Sequence, residues 1–133
     1  MSITYKTDIR PHLEDIIALY DDAGLVRPTQ DKERIRQMYQ NSNLVITAWS
    51  GESQLIGIAR CLTDYCYACY LSDLAVKKEY QKAGIGKKLI ETVKEKIGEK
   101  TSLILLSAPE AMEYYPKVGF EKITNGFIIK RKN

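Results

Sequence analysis

The stretch from Leu74 to Ile90 constrains this chain more than any other. The apolar run Leu74-Ala75-Val76 ends in a polar turn, and Gly84 and Gly86 then open an amphipathic helix carrying Lys87 and Lys88. A strand that feeds a helix through a short loop is expected to find its next strand parallel and beside it in the same sheet. A helix that starts this way also presents backbone N–H groups without partners at the positive end of its dipole. Glycines there remove the side chains that would hold a phosphate away from those donors. The stretch reads as a cradle for a diphosphate.

Residues 2–7 alternate as a first strand, with Ile3 and Tyr5 on one face. Pro11 suits the first turn of a helix, Leu13, Ile16, Ile17 and Tyr20 follow at helical spacing, and Gly24 is a stop. After a loop at 25–29, Ile35, Met38 and Tyr39 mark a second helix, capped by Thr29 or Asp31 and ending near Asn41. Residues 43–50 are rich in strand formers, 51–53 form a turn, 54–62 return as a hairpin partner, and 66–76 complete a meander. Beyond the glycines, Ile85, Leu89, Val93 and Ile97 line one helix face. Residues 102–107 read as a buried strand, and Pro109 opens a helix bearing Ala111, Tyr114, Tyr115 and Val118. Residues 120–124 and 127–131 then pair around Asn125-Gly126, the strongest two-residue hairpin signal. The predicted order is β-α-α-β-β-β-α-β-α-β-β. This is an α/β (α+β) fold, a mixed central sheet with helices on both faces, in a single domain spanning 1–133.

Composition narrows the class. With 44% apolar and 28% charged residues, a chain of 133 residues is expected to fold as one soluble domain. The net charge of +3 is slight, and the basic run Lys130-Arg131-Lys132 has no aromatic interleaving, so nucleic acid is not an expected partner. Cys66 and Cys69 form a C-x-x-C with Cys61 nearby, but there is no second such pair and His12 is the only histidine. Reduced core cysteines, without a metal, are the expectation. No apolar run nears the roughly 20 residues of a spanning helix, and the first ten residues lack a signal-peptide core. The expected location is cytoplasmic, with no membrane partner.

Two phosphate-binding patterns fail at the glycines. A dinucleotide fingerprint would need glycine at Leu89, and a P-loop would need glycine at Gln81 and Ser or Thr at Lys88. What remains is Q-x-x-G-x-G, from Gln81 to Gly86. A second motif, Tyr115-Pro116-Lys117-Val118-Gly119-Phe120, reads Y-x-x-x-G-F at a helix end. With both motifs, the preceding Leu74-Ala75-Val76 and the element order, the chain resembles the GNAT N-acetyltransferase superfamily over essentially its whole length, most specifically between Leu74 and Phe120.

The resemblance implies acetyl-CoA as co-substrate, a primary amine of a small molecule or a protein as acceptor, and direct transfer in a ternary complex. By the same resemblance the backbone of Leu74, Ala75 and Val76 aligns the pantetheine arm. The loop of Lys82, Ala83, Gly84, Ile85, Gly86 and Lys87 would hold the diphosphate through its backbone N–H groups, and Gln81 occupies the cofactor-binding position where the family has Gln or Arg. Tyr115 matches the family's general acid, and a phenol with a reference pKa of about 10 stays protonated at neutral pH. Asp73 is the nearest acidic candidate for a base, although alternation sets it opposite Leu74; Tyr70 and Ser72 would share Leu74's face and position a water. The acceptor cleft is expected between the first two helices, the 25–29 loop and the last hairpin, with Asp21-Asp22 at a solvated helix end. Two positions depart from the family pattern. Ala108 stands where many relatives carry Asn, and Pro116 follows the acid directly, where it removes a helical donor. A non-catalytic acyl-CoA-binding or sensing module is the alternative function, and a homodimer through the final strands follows by family analogy.

Overall fold

The computed structural model describes residues 2–7, 9–51 and 53–132. One sheet runs in the order β1 (Ile3–Lys6), β2 (Leu44–Ser50), β3 (Gln54–Thr63), β4 (Ala68–Val76) and β5 (Ser102–Ile104). Its junctions are antiparallel except for β4–β5, which is parallel, as the strand–loop–helix unit requires. The helices are α1 (Leu13–Ala23), α2 (Lys32–Gln40), α3 (Ile85–Ile97) and α4 (Tyr114–Lys117), with single 3₁₀ turns at Lys78–Tyr80 and Pro109–Ala111. Gly24, in the left-handed region at φ 73°, ends α1, and Asp31 caps α2 by accepting from the Arg34 amide at 3.1 Å. None of the described helices is long and apolar enough to cross a membrane.

Helices cover both faces of the sheet, so β2 is buried along its whole length. On one face Ile85, Leu89, Ile90 and Val93 of α3 pack on Leu44, Ile46 and Ala48 of β2 and on Leu71 of β4. On the other, Ile16, Leu19 and Tyr20 of α1 and Ile35 and Tyr39 of α2 pack on Val45, Ile58 and Ala75. A Cβ on Gly57 would stand 3.2 Å from both Ile85 and Leu89, so the missing side chain seats α3 close to β3. Each such apolar side chain contributes about 1.5–3 kcal/mol by leaving water.

A β-bulge in β4 positions the site. The β3–β4 register passes from Arg60↔Asp73 to Cys61↔Leu71, leaving Ser72 as the extra residue. Strict alternation would set Tyr70 and Ser72 on Leu74's face. The bulge instead puts Cys69 and Leu71 there, in the α3-side core with Leu74, and turns Tyr70 to the other side. Asp73 does face away from Leu74, as alternation predicts.

The C-terminal third differs most from the sequence reading. β5 is three residues long, and residues 105–132 contain no strand, so the expected hairpin of 120–124 with 127–131 is absent. A two-residue hairpin turn of the favoured type needs positive φ at both central residues, and neither Asn125 nor Gly126 has it. The helix expected from Pro109 also resolves into a 3₁₀ turn followed by the short α4. A continuous helix would have placed Pro116 in its interior; starting at Tyr114 leaves Pro116 in the first turn, where an N–H has no helical acceptor anyway. Gly119, at φ 103°, then lets Phe120 N donate back to Tyr115 O at 3.0 Å.

Cys61 and Cys69 are buried and free, but Cys66 is exposed. Asp64 Oδ1 accepts from the amides of Cys66, Tyr67 and Ala68 at 2.9, 2.8 and 3.1 Å, building a turn that delays β4 to Ala68. Cys66 therefore belongs to a turn and not to the core.

Candidate functional site

The last third of β4 is an open edge. Ala68, Cys69 and Tyr70 pair with β5, whereas Leu74, Ala75 and Val76 pair only on the β3 side, with Ala59, Ile58 and Gly57. Lys77 N donates to Ile56 O at 2.8 Å, so alternation along the strand turns the N–H groups of Leu74 and Val76 away from β3, to the open edge. These donors can receive the carbonyls of an extended amide chain as an added strand would. The Gln81 side chain donates to Val76 O at 3.0 Å and pins the end of this edge.

Past that clamp the chain turns through the glycine loop into α3. Lys82 and Gly84 both sit in the left-handed region, at φ 70° and 82°, and turn the backbone into α3. Lys88 N donates to Gly84 O at 3.0 Å to start the helical ladder. The amides of Ile85, Gly86 and Lys87 in the first turn thus have no helical acceptor, and they add to the dipole's positive end. Lys82, Ala83, Gly84 and Lys87 are exposed, while Ile85 is buried and anchors the turn to the core. A Cβ on Gly86 would come within 2.6 Å of the Tyr114 hydroxyl and 4.0 Å of Val76 Cγ2. The strand edge, the helix start and a tyrosine hydroxyl therefore meet at Gly86. Unpaired amides, exposed lysines and a bare glycine suit a donor with a diphosphate on one end and an amide-rich arm on the other.

Tyr114 and Tyr115 of α4 point to different surroundings. Tyr115 is half-buried and packs on the α3-side core, edge-on to Tyr114 at 5.2 Å and to Phe120 at 5.5 Å. Burial pushes its phenol above the ordinary value, Tyr114 adds to this, and Arg27 opposes it. The hydroxyl stays a proton donor at neutral pH. Tyr114, raised by burial as well, brings its hydroxyl to Gly86. The sequence reading missed Tyr114's position because α4 was expected to run on from Pro109, which would have rotated its face.

Behind the open edge lies a buried ionic cluster that the sequence reading also missed. Asp73 Oδ2 accepts from the Tyr20 hydroxyl and from Arg60 Nε, both at 2.7 Å. Its Oδ1 accepts from Arg27 Nε at 2.6 Å and from Ser72 Oγ at 3.3 Å. Burial alone would raise the carboxyl's pKa, but Arg60, by hydrogen bond and charge, together with Tyr20 and Arg27, outweighs it and holds the group below its usual value. Asp73 is thus a committed ion-pair partner, with no lone pair turned to the donor side. Tyr20 also meets Tyr39, oxygen to oxygen at 2.5 Å. Arg27 Nη2 donates to Ser72 O at 2.7 Å, which fastens the α1–α2 loop to β4 one residue before Asp73. The signal was present in the sequence: an aspartate inside an apolar strand needs buried partners.

Asp21 and Asp22 are engaged locally. Asp21 Oδ1 accepts from Thr29 Oγ1 and Asp22 Oδ2 from Lys78 N, each at 2.8 Å, which ties the end of α1 to the loops on both sides. Among the described residues no three His, Cys, Asp or Glu side chains gather as a metal group would require.

Known proteins resemble this chain in sequence and fold. A family profile described as an acetyltransferase (GNAT) domain matches residues 20–130. Over 120 residues the chain is 26% identical to the uncharacterized N-acetyltransferase ycf52 of Pyropia yezoensis, spanning 86% of this chain and 68% of that one. A solved protein from meticillin-resistant Staphylococcus aureus, described as a probable acetyltransferase, superposes with a TM-score of 0.82 at 26% identity, covering 98% of this chain and all of that one. An aminoglycoside N-acetyltransferase solved in complex with CoA shares the fold at a TM-score of 0.73 and 16% identity, with 99% and 96% covered.

Proposed function

Because the chain belongs to the GNAT acetyltransferase family, we propose that it moves an acetyl group from acetyl-CoA to a primary amine by direct transfer in a ternary complex. The observations that carry this reading are the open edge at Leu74–Val76, the unpaired amides at the start of α3, and α4, which brings the Tyr114 hydroxyl to Gly86 and carries the protonated Tyr115 phenol beside it. The aminoglycoside acetyltransferase with the same fold was solved with CoA, which supports the choice of donor.

Acetyl-CoA would supply an activated acetyl thioester. In this reading the amides of Ile85, Gly86 and Lys87 hold its diphosphate, with Lys82 and Lys87 adding charge, and the open-edge groups of Leu74 and Val76 align the pantetheine arm. An N–H of that edge polarises the reacting carbonyl. The amine nitrogen forms its bond to the carbonyl carbon as the carbon–sulfur bond breaks, Tyr115 gives its proton to the departing sulfur, and the amine's surplus proton leaves to water. Asp73 plays no part as base, being held by Arg27 and Arg60. The acceptor, a small-molecule or protein amine, is received on the side of the α1–α2 loop. Free Cys61 and Cys69 suit a reducing compartment such as the cytoplasm.

The test is CoA thiol release from acetyl-CoA across a panel of amines, run beside Tyr115→Phe. At least one amine should stimulate release, and the variant should lose about 10²–10⁴-fold in rate while CoA affinity stays unchanged. Undiminished turnover in the variant removes Tyr115 from the acid role. Tight acetyl-CoA binding with no transfer to any amine would replace the enzyme by an acyl-CoA-binding module.

A further inference from the structure

The bulge at Ser72 sets two features on the same face of the sheet. The first is an excess of positive charge. Two guanidiniums, Arg27 and Arg60, meet the single carboxylate of Asp73, whose other partners, Tyr20 and Ser72, are neutral hydroxyls. Every nitrogen of Arg60 is engaged inside the protein, Nε on Asp73, Nη1 on Met38 O and Ser42 Oγ, and Nη2 on Ser72 Oγ, and its side chain is 7% exposed. Arg27 uses Nε on Asp73, Nη1 on Val26 O and Nη2 on Ser72 O. An N–H on each Nη is left without a protein partner, and 29% of the side chain meets solvent. Among the described residues no carboxylate but Asp73 pairs with Arg27, since Asp21 and Asp22 accept from Thr29 and Lys78. The second feature is an apolar shelf. Leu62 of β3, Tyr70 of β4 and Ile104 of β5 stand in register across three strands and are 41%, 38% and 41% exposed. Their neighbours Cys61, Cys69, Leu71 and Leu103 face the α3-side core, so the shelf faces the other way, with Asp73. Without the bulge, Tyr70 and Asp73 would lie on opposite faces.

Arg27 is also held at a particular place. Tyr70 is the last β4 residue paired with β5, and Leu74 begins the open edge. Ser72, whose carbonyl Arg27 binds, lies between them, where the two strands part. We infer that Arg27 is the specificity-determining receptor for a carboxylate on the acceptor, and that the acceptor is an apolar amino acid. Its amine points to the open edge, its carboxylate lies on Arg27, and its side chain rests on Leu62, Tyr70 and Ile104. The excess around Asp73 is that of one guanidinium, which a carboxylate monoanion neutralises and a phosphate dianion overshoots. A planar guanidinium also matches a carboxylate in shape. Ser72 and Leu74 are no more than about 7 Å apart along the strand. That is the span of an α-amino acid's amine and carboxylate with one hydrogen bond of about 2.9 Å at the carboxylate end. A plain cationic amine offers Arg27 nothing and is repelled by it. The inference rests on the acetyl-transfer reading for which atom reacts, and it names that reaction's acceptor.

Calorimetry on the CoA-loaded protein tests the receptor without turnover. N-acetyl-L-phenylalanine should bind about 10- to 100-fold more tightly than N-acetyl-2-phenylethylamine, which lacks the carboxylate. In thiol-release assays L-phenylalanine should be preferred over 2-phenylethylamine by a similar factor in kcat/KM, carried by KM. Arg27→Gln should bring both ratios close to one, and Arg27→Lys should restore part of each. The Gln variant leaves Arg60 and Asp73 as a balanced pair, so it strands no charge, and an unchanged far-UV spectrum checks that it folds. Carboxylate-selective binding without transfer to any amine would support the receptor and refute acetyl transfer. Equal or absent binding of the two probes would overturn the inference. So would transfer to 2-phenylethylamine or O-phosphoethanolamine as efficient as to L-phenylalanine, or a preference that survives Arg27→Gln, and these two results would leave acetyl transfer standing.

Discussion

Replacing Asp73 with alanine should destabilise the protein more than any exposed substitution, and the structure sets the scale. The carboxylate receives Tyr20, Arg60 and Arg27, and its side chain is fully buried. Arg60, with 7% of its side chain exposed, would keep Nη1 on Ser42 Oγ and Nη2 on Ser72 Oγ but lose its counter-charge. Arg27, 29% exposed, can recover part of its loss from water. Stranding one buried member of an ion pair costs about 3–5 kcal/mol, against a total stability of about 5–15 kcal/mol. With an m-value of about 2 kcal/mol/M, the urea midpoint should fall by about 2 M. The buried Trp49, the only tryptophan, reports the transition by fluorescence. pH supplies a second constraint. The folded pKa of Asp73 is depressed, so its stabilisation is complete above the unfolded carboxylate value near 3.9 and is lost as pH falls through the folded value. The gap between wild type and variant should therefore close on acidification below about pH 4. A loss under about 1 kcal/mol at pH 7, or a gap that stays constant down to pH 3, would refute the cluster's structural role.

Two further predictions concern the donor side. Burial holds the Tyr115 phenol above its ordinary pKa, so a general acid there should keep kcat from falling until the pH passes about 10, and Tyr115→Phe should abolish that alkaline limb; a limb identical in both proteins would assign it elsewhere. Gly86→Ala should leave the melting temperature within about 2–4 °C, because the Tyr114 hydroxyl it meets is the far end of a movable side chain. It should nevertheless weaken acetyl-CoA binding about tenfold, the worth of one hydrogen bond, measured by calorimetry. Equal affinity would place the diphosphate away from Gly86.

How legible the chain was depends on how local each signal is. The strand–loop–helix unit at Leu74 to Ile90 was readable because glycine's conformational freedom, helix-end donors and apolar spacing all act within a few residues. The five strands and both helical faces followed from periodicity in the same way. Tyr70 was assigned to the wrong face because a single bulge at Ser72 inverts everything on one side of it, and that bulge is set by pairing with β3. Tyr114's approach to Gly86 depends on where α4 begins, which Pro116 decides only together with the packing of Tyr115.

By itself the sequence determined the parallel return after α3, the unpaired amides at its start and the motif register of Tyr115, because these rest on backbone geometry and nearest neighbours. Tertiary structure alone decided that Asp73 is tied up by Arg27 and Arg60, residues 46 and 13 positions away. It also decided that Asn125-Gly126 closes no hairpin, since residues 105–132 contain no strand. A local turn preference is worth only what the strands on either side gain by pairing, and here residues 120–124 and 127–131 do not pair.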